Sequence, residues 1–81
     1  MVTDADAKKF IAANVSRILE SRGWMQQDLA DKTGENKMTI SRVCRGVHVP
    51  SAALLARIAE ALDVSTDRLM AAPQNNSRKI G

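Results

Sequence analysis

Cysteine is almost missing from this chain of 81 residues: Cys44 stands alone, so no internal disulfide framework can form and nothing marks an oxidising compartment. Aromatic residues are as scarce. Phe10 and Trp24 are the whole set, which leaves no stacking platform for single-stranded RNA or DNA. There is one histidine, His48, and no CxxC pair, no G-x-S-x-G elbow and no phosphate-cradling glycine loop. An activated nucleophile or a metal centre therefore has no residues to be built from. The expectation is a protein that is not an enzyme, with no catalytic residue, no metal site and no cofactor. Apolar runs fall far short of a membrane span, and the first ten residues, MVTDADAKKF, lack the apolar core of a secretory signal. A cytoplasmic address with no membrane partner is the default expectation.

What is present is helical periodicity broken at regular intervals. Ile11, Val15 and Ile18, joined by Phe10 or Leu19, line one side of a helix predicted from about Ala5 to Ser21 and stopped by Gly23. Trp24 precedes a second helix that ends at Gly34 and is placed to pack on Leu29 as a hydrophobic staple. A third helix covers about Lys37 to Arg45 and ends at Gly46. After a loop to Pro50, Ser51 caps a fourth, in which Leu54, Leu55, Ile58, Ala59 and Leu62 recur at helical spacing. Asp63 and Val64 turn the chain, and Ser65 caps a short fifth helix ending near Met70 to Ala72. Pro73 blocks its continuation. No strand and no repeat is expected. The predicted organisation is one all-α, compact five-helix domain over residues 1–72, followed by a flexible polar tail over 73–81.

The segment QQDLADKTGENKMTISRVCR, residues 26–45, carries the sharpest signal. Leu29 and Ala30 face inward, and Ala30 is small enough for the next helix to approach closely. Gly34 enters the left-handed region cheaply because it has no Cβ. Asn36 then caps a helix whose Ile40 and Val43 form one apolar stripe, leaving Lys37, Met38, Ser41, Arg42 and Arg45 to point elsewhere. That is the arrangement of a helix-turn-helix, in which the second helix enters a DNA major groove. The same four positions would also serve a plain antiparallel pair within a bundle.

Charge follows the same segment. Residues 1–34 hold five Lys and Arg against five Asp and Glu, residues 35–57 hold four against one, and residues 58–81 hold three against three. The net charge of +3 therefore sits with the third helix and the start of the fourth. A local basic stretch is the footprint of phosphate contacts; a solvated face with unmatched cations is the alternative.

ISRVCRG, the loop to Pro50-Ser51 and ALLARIAEALDVSTDRLM together resemble the lambda-repressor-like, or XRE, family of helix-turn-helix proteins, from about Val15 to Met70. The resemblance implies a sequence-specific regulator of transcription bound to double-stranded DNA, in first place a repressor occupying a near-palindromic operator as a homodimer. By position it implies that Lys37, Met38, Ser41 and Arg42 read base edges, while Gln26, Asn36, Thr39, Arg45 and His48 meet the backbone. Lys37 and Arg42 suit guanine O6 and N7, and Met38 suits a thymine methyl. His48 otherwise reads as a solvated loop histidine. The dimer surface is expected from the end of the fourth helix through the fifth and Pro73, with Leu69 and Met70 either there or in the core. Small proteins of this family also serve as antitoxins that repress their own operon. A fold retained as a protein-binding adaptor without DNA contact is a third reading, and a protein partner, whether toxin or inducer, is unknown.

Four departures from the family pattern stand out. Members commonly pair an arginine four residues before the glycine of helix one with a glutamate two residues before the glycine ending helix three. Here Leu19 and Cys44 stand there, so an apolar contact replaces an ion pair without stranding a charge. Met25 takes a cap position usually held by Ser, Thr or Asn, and Asp28 is the residue able to reach back to its N–H. Glu35 replaces a common apolar turn residue and either weakens phosphate contact or answers a basic side chain. Asp63 replaces a glycine, which Asp tolerates better than most residues.

Overall fold

The structure, a computed structural model, describes residues 3–73. Five helices and no strand occur among them: α1 (Asp4–Arg22), α2 (Gln26–Thr33), α3 (Lys37–Cys44), α4 (Ala52–Leu62) and α5 (Thr66–Met70). The first begins one residue earlier than periodicity suggested, because Thr3 and Asp6 form a reciprocal capping box. The Asp6 N–H donates to Thr3 Oγ1 at 3.1 Å, and the Thr3 N–H donates to Asp6 Oδ2 at 3.3 Å. Ser51 and Ser65 cap α4 and α5 by accepting from the N–H groups of Leu54 and Arg68, both at 3.1 Å.

The core runs through all five helices. Ile11 and Val15 of α1, Leu29 of α2, Ile40 and Val43 of α3, Ile58 and Leu62 of α4 and Leu69 of α5 are closed to solvent. Each such side chain contributes about 1.5–3 kcal/mol over the exposed state. On α1 the stripe is completed by Ile18 and Leu19, with Phe10 only half-buried. At the other end Leu69 is core and Met70 is exposed, so the two do not share one fate. The helix α1 packs on α3 and α5, α2 on α3 and α4, and α4 on α5.

One polar side chain is built into this core. Asn14 is 5 % exposed, and its Nδ2 donates to the carbonyl oxygens of Arg68, Leu69 and Ala71 at 3.2, 2.7 and 2.9 Å. Those carbonyls lie at the C-terminal end of a five-residue helix that has too few turns to satisfy them itself. The Asn14 Oδ1 accepts from Arg17 Nη2 at 3.3 Å. Asn14 lies on the same helical face as Ile11, Val15 and Ile18, and the structure makes it the fastener between α1 and α5.

Asp63 adopts φ 58°, the left-handed conformation its glycine-like position requires, and is the only non-glycine with positive φ among the described residues. The Val64 N–H then donates to the Ala59 carbonyl at 2.9 Å and closes α4. The polar residues 74–81, including Ile80 and the basic pair Arg78 and Lys79 of the expected tail, lie outside the described residues.

Candidate nucleic-acid interface

The site is made by the turn that joins α2 to α3. Gly34 takes φ 78°, and both its own N–H and that of Glu35 donate to the Ala30 carbonyl, at 2.9 and 3.1 Å. Ala30 is fully buried under the crossing, as its size suggested. Asn36 starts α3, its Oδ1 accepting from the Thr39 N–H at 2.8 Å. The far end of α3 closes at Gly46, where φ is 75° and the Val47 N–H donates to the Arg42 carbonyl at 3.2 Å. A Cβ at Gly46 would lie 3.4 Å from Ala12 Cβ and 3.6 Å from the Lys8 carbonyl oxygen, so α3 ends in near-contact with the backbone of α1.

Held at both ends, α3 divides cleanly. Ile40 and Val43 are 0 and 1 % exposed, whereas Lys37, Met38 and Arg42 face solvent, Met38 at 62 %. Met38 and Arg42 are four apart, as are Lys37 and Ser41, so two adjacent rows run along the outer face. Ser41 and Thr39 are half-buried at the flanks of those rows. Arg45 and His48 are exposed at and beyond the C-terminal end of the helix, with Val47 and Val49 exposed beside them.

The start of α2 adjoins the start of α3. Gln26, Gln27 and Lys37 line one shallow depression together with Ser16, Leu19, Glu20, Trp24, Met25 and Cys44. The two positions where a family ion pair is usual, Leu19 and Cys44, therefore line the same depression. Cys44 is half-buried, and its thiol is pushed above its ordinary pKa by loss of solvent, opposed by a hydrogen bond from Ser16. Met25 makes no side-chain cap; its N–H instead donates to Asp28 Oδ2 at 2.8 Å. Trp24, half-buried against the core ahead of α2, carries the Arg22 guanidinium 5.5 Å and the Lys32 ammonium 4.9 Å from its ring centre.

Glu35 answers a basic side chain. Its Oε2 accepts from Arg57 Nη2 of α4 at 2.9 Å, a partner 22 positions away that no local pattern announces. Among the described residues no three His, Cys, Asp or Glu side chains are grouped to hold a metal ion, and no helix is long and apolar enough to cross a membrane.

Comparisons with known proteins agree with this geometry. The HTH-type transcriptional regulator SutR of Escherichia coli (strain K12) is 28% identical over 72 residues, 89% of this chain and 40% of that protein. The chain thus spans about two-fifths of the length of that curated relative. Two solved structures superpose closely. A hypothetical transcription factor, NHTF from Neisseria, has a TM-score of 0.79 at 25% identity over 88% of this chain and 82% of its own. An HTH_3 family transcriptional regulator from Vibrio cholerae has a TM-score of 0.76 at 31% identity over 83% and 38%. The profile of the helix-turn-helix family matches residues 15–69, from the middle of α1 to Leu69. With its five helices in that order and that match over most of its length, the chain belongs to the helix-turn-helix family of the lambda-repressor-like, or XRE, type, a family of DNA-binding transcriptional regulators.

Proposed function

We propose that the chain is a sequence-specific repressor that occupies a near-palindromic operator as a homodimer, with α3 in the major groove. The observation that carries this reading is the division of α3: Ile40 and Val43 are consumed by the core while Lys37, Met38 and Arg42 stand in solvent beside them. In this reading Lys37, Met38, Ser41 and Arg42 meet base edges. Gln26 at the first position of α2, the cap residue Asn36 and its partner Thr39, and Arg45 and His48 past the groove meet phosphates. In this reading residues 1–72 form the DNA-binding domain.

A module with so few reading residues gains affinity by pairing, so two half-sites about one helical turn, roughly 34 Å, apart are expected. Met70, exposed at the end of α5, supports a dimer surface at that end of the molecule; Leu69 is no longer available for one. Selection of bound sequences from random duplexes tests the reading directly. Recovery of a two-fold symmetric consensus supports it. A chain folded by circular dichroism that shifts no duplex at low salt would sink it and promote the adaptor.

A further inference from the structure

A carboxylate beside the start of α3 is out of keeping with a helix end that meets phosphates. Glu35 immediately precedes Asn36, and neighbouring Cα atoms lie about 3.8 Å apart. A phosphate held at Asn36 would therefore bind one residue away from a carboxylate, where salt with a screening length of about 8 Å at physiological ionic strength screens only part of the repulsion.

The turn does not need Glu35's side chain for its shape. The N–H groups of Gly34 and Glu35 are bound to the Ala30 carbonyl, and α3 is capped by Asn36. The ion pair with Arg57 is also not held by burial, because the arginine side chain is 48 % exposed and the glutamate 27 %. What remains for the pair is electrostatic. The arginine turns a local negative charge into a dipole at the place where an anion would approach.

We propose that Arg57 is a shielding residue for DNA binding: it cancels Glu35 at the start of the reading helix without itself touching DNA. The inference rests on the DNA-binding reading above. It also changes the charge of the basic segment, since one of the four cations between residues 35 and 57 is spent internally and Lys37, Arg42 and Arg45 are left to face the DNA.

The test compares Arg57→Gln, Glu35→Gln and the double variant on a selected duplex by fluorescence anisotropy. Arg57→Gln should bind about three- to tenfold more weakly near 100 mM salt, with the deficit shrinking as salt rises. Glu35→Gln should bind at least as tightly as the natural chain, and the double variant should return to that level. A double variant as weak as Arg57→Gln would make Arg57 a phosphate contact and overturn the shielding. So would unchanged binding of Arg57→Gln with lowered thermal stability, which is the mark of a purely structural pair. A natural chain that binds no duplex at all overturns the DNA reading itself, and is thereby distinct from either result.

Discussion

Among single residues, Asn14 has the clearest energetic consequence. Its two amide hydrogens are shared among three carbonyls at the end of α5, so Asn14→Ala would leave the buried Leu69 carbonyl without that donor. A loss of about 1–3 kcal/mol is expected in urea unfolding, with amide exchange in α5 accelerating before that in α1. Leu19 and Cys44 offer a second test, since both line one depression. Leu19→Arg should destabilise by about 1–3 kcal/mol, because the new charge sits against apolar neighbours although it can reach toward the open side. Cys44→Glu added to it should recover part of the loss. Strictly additive free energies would mean that the two side chains do not communicate. The raised Cys44 pKa also has a sign: the unfolded chain ionises its thiol first. The stability this adds is present below the ordinary thiol pKa and declines as the pH climbs through the higher folded value.

At the scale of elements, the caps separate stability from binding. Asn36→Ala and Ser51→Ala each remove a side-chain acceptor at a helix start, from α3 and α4, and each should cost about 1 kcal/mol in thermal or urea unfolding. Only Asn36→Ala should also weaken binding to a selected duplex. Equal effects on binding would take Asn36 out of the interface.

The helices themselves were legible in the sequence because their signals are local. The spacing of Leu54, Leu55, Ile58, Ala59 and Leu62 names the buried face of α4, and Gly34, Asn36, Ile40 and Val43 locate the crossing of α2 and α3. Even the reach of Asp28 to the Met25 N–H was visible three residues apart. What escaped was long-range. Asn14 meets carbonyls 54 to 57 positions away, and the sequence left open whether Glu35 weakens phosphate contact or answers a cation, which the structure identifies as Arg57. For the candidate interface, sequence spacing placed the outward rows of α3, while the neighbourhood of Gln26 and Lys37 emerged only from the packing of two helix starts.

For the molecule as a whole, the proposed function predicts a steep dependence on salt. Each neutralised phosphate contributes about −0.9 to the slope of log K against log salt, so a dimer with roughly 6 to 10 such contacts loses about a thousandfold or more between 50 and 200 mM. Arg45→Gln should flatten that slope alike on every sequence. Arg42→Ala should instead cost about 1–3 kcal/mol on the preferred site and relax discrimination at one base pair. Equal weakening by Arg42→Ala on preferred and random duplexes would move Arg42 to the backbone set.

The near-contact of Gly46 with Ala12 and the Lys8 carbonyl has a mechanical side. Raising α1 at that place would tilt α3 from its C-terminal end. The eight residues of α3 make a shaft of about 12 Å, and a tilt of about 5° at that end would carry the tip through roughly 1 Å. That displacement is large beside the tolerance of a hydrogen bond to a base edge. A longer side chain at Ala12 would act as a wedge under the C-terminal end of α3, and Ala12→Leu should change which operator sequence is selected although the residue lies behind the helix, away from any base. An unaltered consensus from Ala12→Leu would mean that the loop after α3 yields and the shaft stays level.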